Sequence, residues 1–130
     1  MRSTILVIED EEAMRLLLAE YLEYLGYDVL PAPDGRTAIR LGTDEPFSLA
    51  LVDINLPDVS GLEVMRTLRT SGVEAPFVIV SGNLRDSYAD QIGPLGVREV
   101  LEKPIDLDDL ERVLAEVLLG TDPPARAAGF

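Results

Sequence analysis

Three runs of four apolar residues, Ile5-Leu6-Val7-Ile8, Leu49-Ala50-Leu51-Val52 and Phe77-Val78-Ile79-Val80, constrain this chain more than any other feature of it. None alternates with polar residues, so each reads as a short strand buried on both faces. Such strands need helices on both sides, and the intervening sequence supplies them. Met14, Leu17, Leu18, Tyr21, Leu22 and Leu25 follow helical spacing as one apolar stripe, stopped by Gly26. Leu62, Met65 and Leu68 form a second stripe, with Arg66 and Arg69 facing out. Asp106 caps the last helix, whose stripe is Leu107, Leu110, Val113, Leu114, Val117 and Leu118.

Weaker elements fill the gaps. Residues 28–30 read as a short edge strand ahead of Pro31, and Asp34-Gly35 opens a modest helix carrying Ala38, Ile39 and Leu41, ended by Gly42. Leu84, Tyr88 and Ile92 fit a short helix that Gly93-Pro94 breaks, and residues 97–101 make a fifth strand leading to Lys103-Pro104. The tyrosines and methionines at helical spacing are expected in the core. Strand and helix thus alternate five times, which implies an α/β domain with a parallel sheet between two helical layers. Residues 1–120 are expected to form this one domain, and 121–130, without periodicity, a flexible tail or the start of a linker.

Composition removes whole classes of chemistry. With no His and no Cys, thiolate and imidazole metal sites and histidine-based nucleophile triads are impossible. Eleven basic against 24 acidic residues give a net charge of −13, which repels nucleic-acid backbones and anionic lipid, so neither is expected to be bound directly. The apolar runs are too short to span a bilayer and no signal-peptide pattern opens the chain, so a cytoplasmic location is expected.

In open parallel sheets, ligands bind at the carboxyl ends of the strands. Here those ends carry Glu9 and Asp10, Asp53 and Asn55, Ser81, and Lys103. Two carboxylates about 5 Å apart repel by roughly 3 kcal/mol at an effective dielectric near 20. Protonation, Lys103 or a hard divalent cation must offset that. An oxygen-only donor set selects Mg²⁺, or Mn²⁺, over zinc. A dinucleotide or flavin site would need a glycine-rich turn after the first strand, where this chain has Glu9-Asp10-Glu11-Glu12.

Four segments in order on this alternation, Ile5-Leu6-Val7-Ile8-Glu9-Asp10-Glu11, Leu51-Val52-Asp53-Ile54-Asn55-Leu56-Pro57 with Gly61, Val80-Ser81-Gly82, and Lys103-Pro104, resemble the receiver domain of bacterial two-component response regulators. The resemblance covers residues 3 to about 119. It implies the flavodoxin-like (βα)5 three-layer sandwich with strand order 2-1-3-4-5, and a cis bond at Lys103-Pro104. It further implies that Asp53 accepts a phosphoryl group from a phosphohistidine on a sensor histidine kinase or phosphotransfer protein. Asp10, Asp53 and the Asn55 backbone carbonyl would hold Mg²⁺, Glu9 would reach it through water, and Lys103 and Ser81 would bind phosphoryl oxygens.

By the same resemblance the domain is no enzyme beyond its own phosphorylation and dephosphorylation. It is a switch whose surface around Ser81, Tyr88 and Val100 engages a downstream protein, either as a stand-alone receiver or as a piece of a longer regulator. Three positions depart from the pattern: Val100 stands where an aromatic is frequent, Ser81 where Thr is commoner and Ile105 where Phe is frequent. A haloacid-dehalogenase-like phosphatase also uses a strand-end Asp with Mg²⁺, but resembles its kin in a second Asp two residues on. Asn55 occupies that position and cannot shuttle a proton. A docking module that ignores phosphate is the remaining alternative.

Overall fold

Each of the three apolar runs is a central strand with side chains sorted to two faces. In the computed structural model, which describes residues 2–82 and 88–119, β1 (Thr4–Ile8), β3 (Leu49–Asp53) and β4 (Phe77–Ser81) are flanked by β2 (Asp28–Ala32) and β5 (Val97–Glu102). All pairs are parallel, and the order is β2-β1-β3-β4-β5. The helices are α1 (Glu12–Tyr24), α2 (Gly35–Asp44), α3 (Gly61–Thr70), α4 (Ala89–Ile92) and α5 (Leu107–Leu119), with a 3-10 turn at Gly93–Leu95 after α4.

The two-residue period of the strands divides the core. Ile5, Val7, Leu49, Leu51, Val78 and Val80 meet Leu18 and Leu22 of α1 and Leu110, Val113 and Leu114 of α5. Leu6, Ile8, Ala50, Val52, Phe77 and Ile79 meet Ala38 of α2 and Val64, Met65 and Leu68 of α3. Nearly all of these side chains are fully buried, each contributing roughly 1.5–3 kcal/mol for the larger ones. The expected three-layer sandwich is therefore present.

Several local expectations need correction. β2 does not stop before Pro31 but runs through it to Ala32, with Pro31 opposite Val7. An edge strand tolerates this, because the missing N–H can face away from its one neighbour. Gly42 does not end α2, which continues to Asp44. Gly42 is instead buried against α3: an added Cβ would sit 2.8 Å from the Leu68 Cδ2 methyl, so glycine serves close helix packing there. Leu17, placed on the core stripe of α1, is half exposed, and Tyr24 is 82% exposed, stacked on Tyr21. Gly26 does follow α1, at φ 103°, where glycine carries no steric cost. Leu84 and the expected tail at 121–130 lie outside the described residues; the helix expected around Tyr88 and Ile92 is seen as α4 and gives way at Gly93-Pro94 to the 3-10 turn.

Side chains cap the starts of α2, α3 and α5. Ser60 caps α3 through the Glu63 N–H, and Asp106 takes the Asp108 N–H at 2.8 Å. α2 uses two acids: Asp34 accepts from the Thr37 N–H, while Asp58, from the loop before α3, accepts from the Gly35 and Arg36 N–H groups, each at 2.9 Å.

Candidate functional site

Register alone gathers the strand-end residues. Ile8 pairs with Val52, so Glu9 leaves β1 beside Asp53, the last residue of β3. Asp53 pairs with Val80, which puts Ser81 at the neighbouring strand end. Ser81 pairs with Glu102, and the Lys103 N–H donates to the Ser81 carbonyl at 2.9 Å, turning Lys103 back over the same rim. The Lys103–Pro104 peptide bond is cis.

The lysine joins two of the acids. Its Nζ lies 2.8 Å from Glu9 Oε1 and 3.1 Å from Asp53 Oδ2. Glu9, Asp53 and Ser81 are buried, while Asp10 stands at the mouth in solvent. The remaining carboxylate oxygens are also occupied: Glu9 Oε2 accepts from the Glu11 N–H at 3.1 Å and Asp53 Oδ1 from the Asn55 N–H at 2.9 Å. Burial raises the Glu9 carboxyl above the usual range, outweighing the Lys103 and Glu11 hydrogen bonds that pull it down; the nearby Asp53 carboxylate adds to the rise. Burial also works against the charge on Lys103, yet hydrogen bonds to Glu9 and Asp53 prevail and raise its pKa.

Glu9, Asp10 and Asp53 can each bring one oxygen within 4.8 Å of the others. Oxygens on opposite sides of an octahedral Mg²⁺, with bonds of about 2.1 Å, lie about 4.2 Å apart, so this donor set suits a hard dication. The structure thus brings Glu9, Asp10, Asp53 and Lys103 together, adds the Asn55 backbone to Asp53, and puts Ser81 on the adjoining strand end. Two participants escaped the sequence reading. Arg15 of α1 donates from Nη1 to the Glu9 carbonyl at 3.0 Å and the Asp10 carbonyl at 3.4 Å, bracing the acidic turn. Asp58 ties the loop after β3 to α2. Both act on backbone, for which residue type gives no signal.

Fold and rim together define a class: parallel α/β domains with an acidic cluster and one lysine at the carboxyl edge of a 2-1-3-4-5 sheet. The sequence model of the response regulator receiver domain matches residues 5–115. The chain belongs to that family, the receiver domains of two-component signalling.

Among its relatives, the response regulator MprA of Mycolicibacterium vanbaalenii is 36% identical over 122 residues, covering 92% of this chain and 52% of that protein. The chain spans about half the length of the curated relatives it matches, 46% in one case and 52% in another. A CheY-like response regulator receiver domain protein from Methanospirillum hungatei superposes with a TM-score of 0.88 at 26% identity, over 92% of this chain and 96% of that one. The response regulator TrrA of Thermotoga maritima, solved in complex with Mg(2+)-BeF, superposes at a TM-score of 0.78 and 28% identity, over 91% and 100%. Among the described residues, no helix is long and apolar enough to cross a membrane.

Proposed function

We propose that this domain takes a phosphoryl group onto Asp53 from a phosphohistidine of a sensor kinase or phosphotransfer protein, and that the modified rim is read by a downstream protein. The observation that carries this reading is the pairing of Lys103 with Asp53 inside a three-carboxylate cluster. One Asp53 oxygen forms the new O–P bond as the N–P bond of the donor breaks, and the imidazole leaves with the electron pair. Lys103 is held where it can turn from the carboxylate to an equatorial phosphoryl oxygen, and Ser81 is the hydroxyl proposed for another. Asp10, Asp53 and the Asn55 carbonyl are the proposed Mg²⁺ ligands, with Glu9 behind them through water. Bound there, Mg²⁺ neutralises acid charge and phosphoryl charge together. The TrrA structure, solved in complex with Mg(2+)-BeF, supports the same chemistry for this rim.

The strong negative charge favours protein partners over nucleic acid for this domain, and the cytoplasm is its proposed location. Val100 lies in the same apolar cluster as buried Tyr88, so the proposed output surface must be read through packing there, not through an aromatic at position 100.

Incubation with acetyl phosphate or phosphoramidate and Mg²⁺ is expected to add one phosphoryl mass to the intact protein, and none to Asp53→Ala. Failure of the wild-type adduct, or its persistence in Asp53→Ala, would refute the assignment. Mg²⁺ alone is expected to raise the melting temperature, because it binds the folded rim and not the unfolded chain.

A further inference from the structure

The loop between β3 and α3, residues 54–60, is tied at three places. Asp53 Oδ1 accepts from the Asn55 N–H at 2.9 Å, which fixes its start. The Gly61 N–H donates to the Ile54 carbonyl at 2.9 Å, which closes its ends on each other. Its middle packs on the core through Leu56 and Val59 and is hydrogen-bonded through Asp58: Oδ1 accepts from Gly35 at 2.9 Å and from Val59 at 2.8 Å, and Oδ2 from Arg36 at 2.9 Å. Gly35 and Arg36 lie 23 and 22 residues upstream, so these two bonds join separate segments. Glycine at 35 is what lets the loop approach: a Cβ there would fall 2.3 Å from Val59 Cγ2. The backbone bonds hold the exposed Asp58 carboxyl down at about 2, so the clasp is charged throughout the neutral range.

We infer that Asp58 is a positioning residue for the metal site, clasping the loop to the start of α2 so that the Asn55 carbonyl is presented in one place. This rests on the proposed Mg²⁺ reading of the rim. Asp58 itself lies three residues beyond Asn55 and, among the described residues, its carboxylate bonds to Gly35, Arg36 and Val59 and not to Glu9, Asp10, Asp53 or Lys103. Its influence is on the backbone that carries a ligand, as outer partners of ligands act elsewhere.

The test titrates Mg²⁺ into the full chain by calorimetry, for the wild type, Asp58→Asn, Asp58→Ala and Asp34→Ala. Asp34→Ala also unhooks the start of α2, at the Thr37 N–H, but leaves the loop tied. Outer partners of ligands typically shift metal affinity 10- to 100-fold, and a backbone ligand belongs at the low end. Asp58→Ala is therefore expected to weaken Mg²⁺ binding about tenfold. Asp58→Asn should fall between, because its amide keeps one acceptor and turns a donor toward the Arg36 N–H. Asp34→Ala should bind as the wild type does. The phosphorylation rate should recover at saturating Mg²⁺ in both Asp58 variants.

Equal Kd values for wild type and Asp58→Asn, or an equal loss in Asp34→Ala, would overturn the positioning role and leave a plain helix cap. A wild-type protein that binds no Mg²⁺ would instead bring down the functional reading, and this role with it. Should Asp58→Ala fail to fold, Asp58→Asn against Asp34→Ala decides the matter.

Discussion

Lys103→Met is expected to make the metal-free protein about 2 kcal/mol less stable at pH 7, while binding Mg²⁺ more tightly than the wild type and losing at least about a hundredfold in the rate of phosphoryl acceptance. Methionine is one atom shorter than lysine, keeps most of the apolar stem and removes the charge. Glu9 and Asp53, with side chains 3% and 6% exposed, then face each other without their shared cation. Breaking a buried pair by removing one partner usually costs about 3–5 kcal/mol. The cost should be smaller here, because the lysine side chain is 23% exposed and Glu9 can take up a proton. Mg²⁺ affinity should rise because the dication no longer competes with an ammonium for the same oxygens.

The pH dependence has a definite sign. Burial places the folded Glu9 pKa above its unfolded value of 4.5, and the two Lys103 contributions that lower it vanish in the variant. Between the unfolded and folded values the native state holds the extra proton, so stability falls as pH rises through that window. The deficit of Lys103→Met should therefore be small below pH 4.5 and complete above the folded value. On the basic side the wild-type lysine, whose folded pKa lies above 10.5, contributes in full at pH 7 and loses that contribution as pH rises through the raised value. Urea midpoints at pH 7 and pH 4 without metal, and calorimetry with Mg²⁺, measure the effects. A deficit that grows on acidification would sink the account.

What was legible in the sequence depended on how local its cause is. Ile5–Ile8, Leu49–Val52 and Phe77–Val80 announced themselves because a doubly covered strand has no polar side to hide. Asp34, Ser60 and Asp106 were readable as caps or loop residues because a cap bonds within three residues. Gly42 was not, since glycine that ends a helix and glycine that admits Leu68 are the same letter. The exposure of Leu17 and Tyr24 was hidden for a related reason: a stripe shows which side a residue is on, and not how far the covering helix extends.

The rim divides the same way. Its acids follow from strand ends, but strand order is a long-range property, and the sequence supplied it through family resemblance. Once β1, β3, β4 and β5 stand in the observed order, Glu9, Asp53, Ser81 and Lys103 must converge. Arg15 and Asp58 stayed invisible because their partners are carbonyl and amide groups, present at every position of any chain.

Gly61→Ala should reverse the usual benefit of replacing a helical glycine. At an unstrained first-turn position, alanine gains up to about 1 kcal/mol from helix propensity. At Gly61 a Cβ would stand 2.4 Å from the Asp53 carbonyl oxygen, 2.9 Å from Ile54 Cα and 3.0 Å from Val52 Cγ1. Two of these are backbone atoms, which cannot swing aside as a side chain can. The Gly61 N–H is also bonded to the Ile54 carbonyl, so α3 cannot retreat without breaking that contact. Overpacking of this kind costs about 3 kcal/mol, which outweighs the propensity gain. The strain falls on Asp53, the proposed phosphoacceptor, so relief by shifting it moves its carboxylate away from Lys103. The variant should lose stability and most of its phosphoryl acceptance together, with Mg²⁺ recovering little of either. Gly93→Ala, whose new methyl meets nothing within 4 Å beyond its own chain neighbours, among them Pro94, should cost clearly less than Gly61→Ala. Urea midpoints and intact mass after acetyl phosphate treatment separate the two: a Gly61→Ala protein as stable and as readily phosphorylated as Gly93→Ala would mean that β3 and α3 do not meet as closely as the site requires.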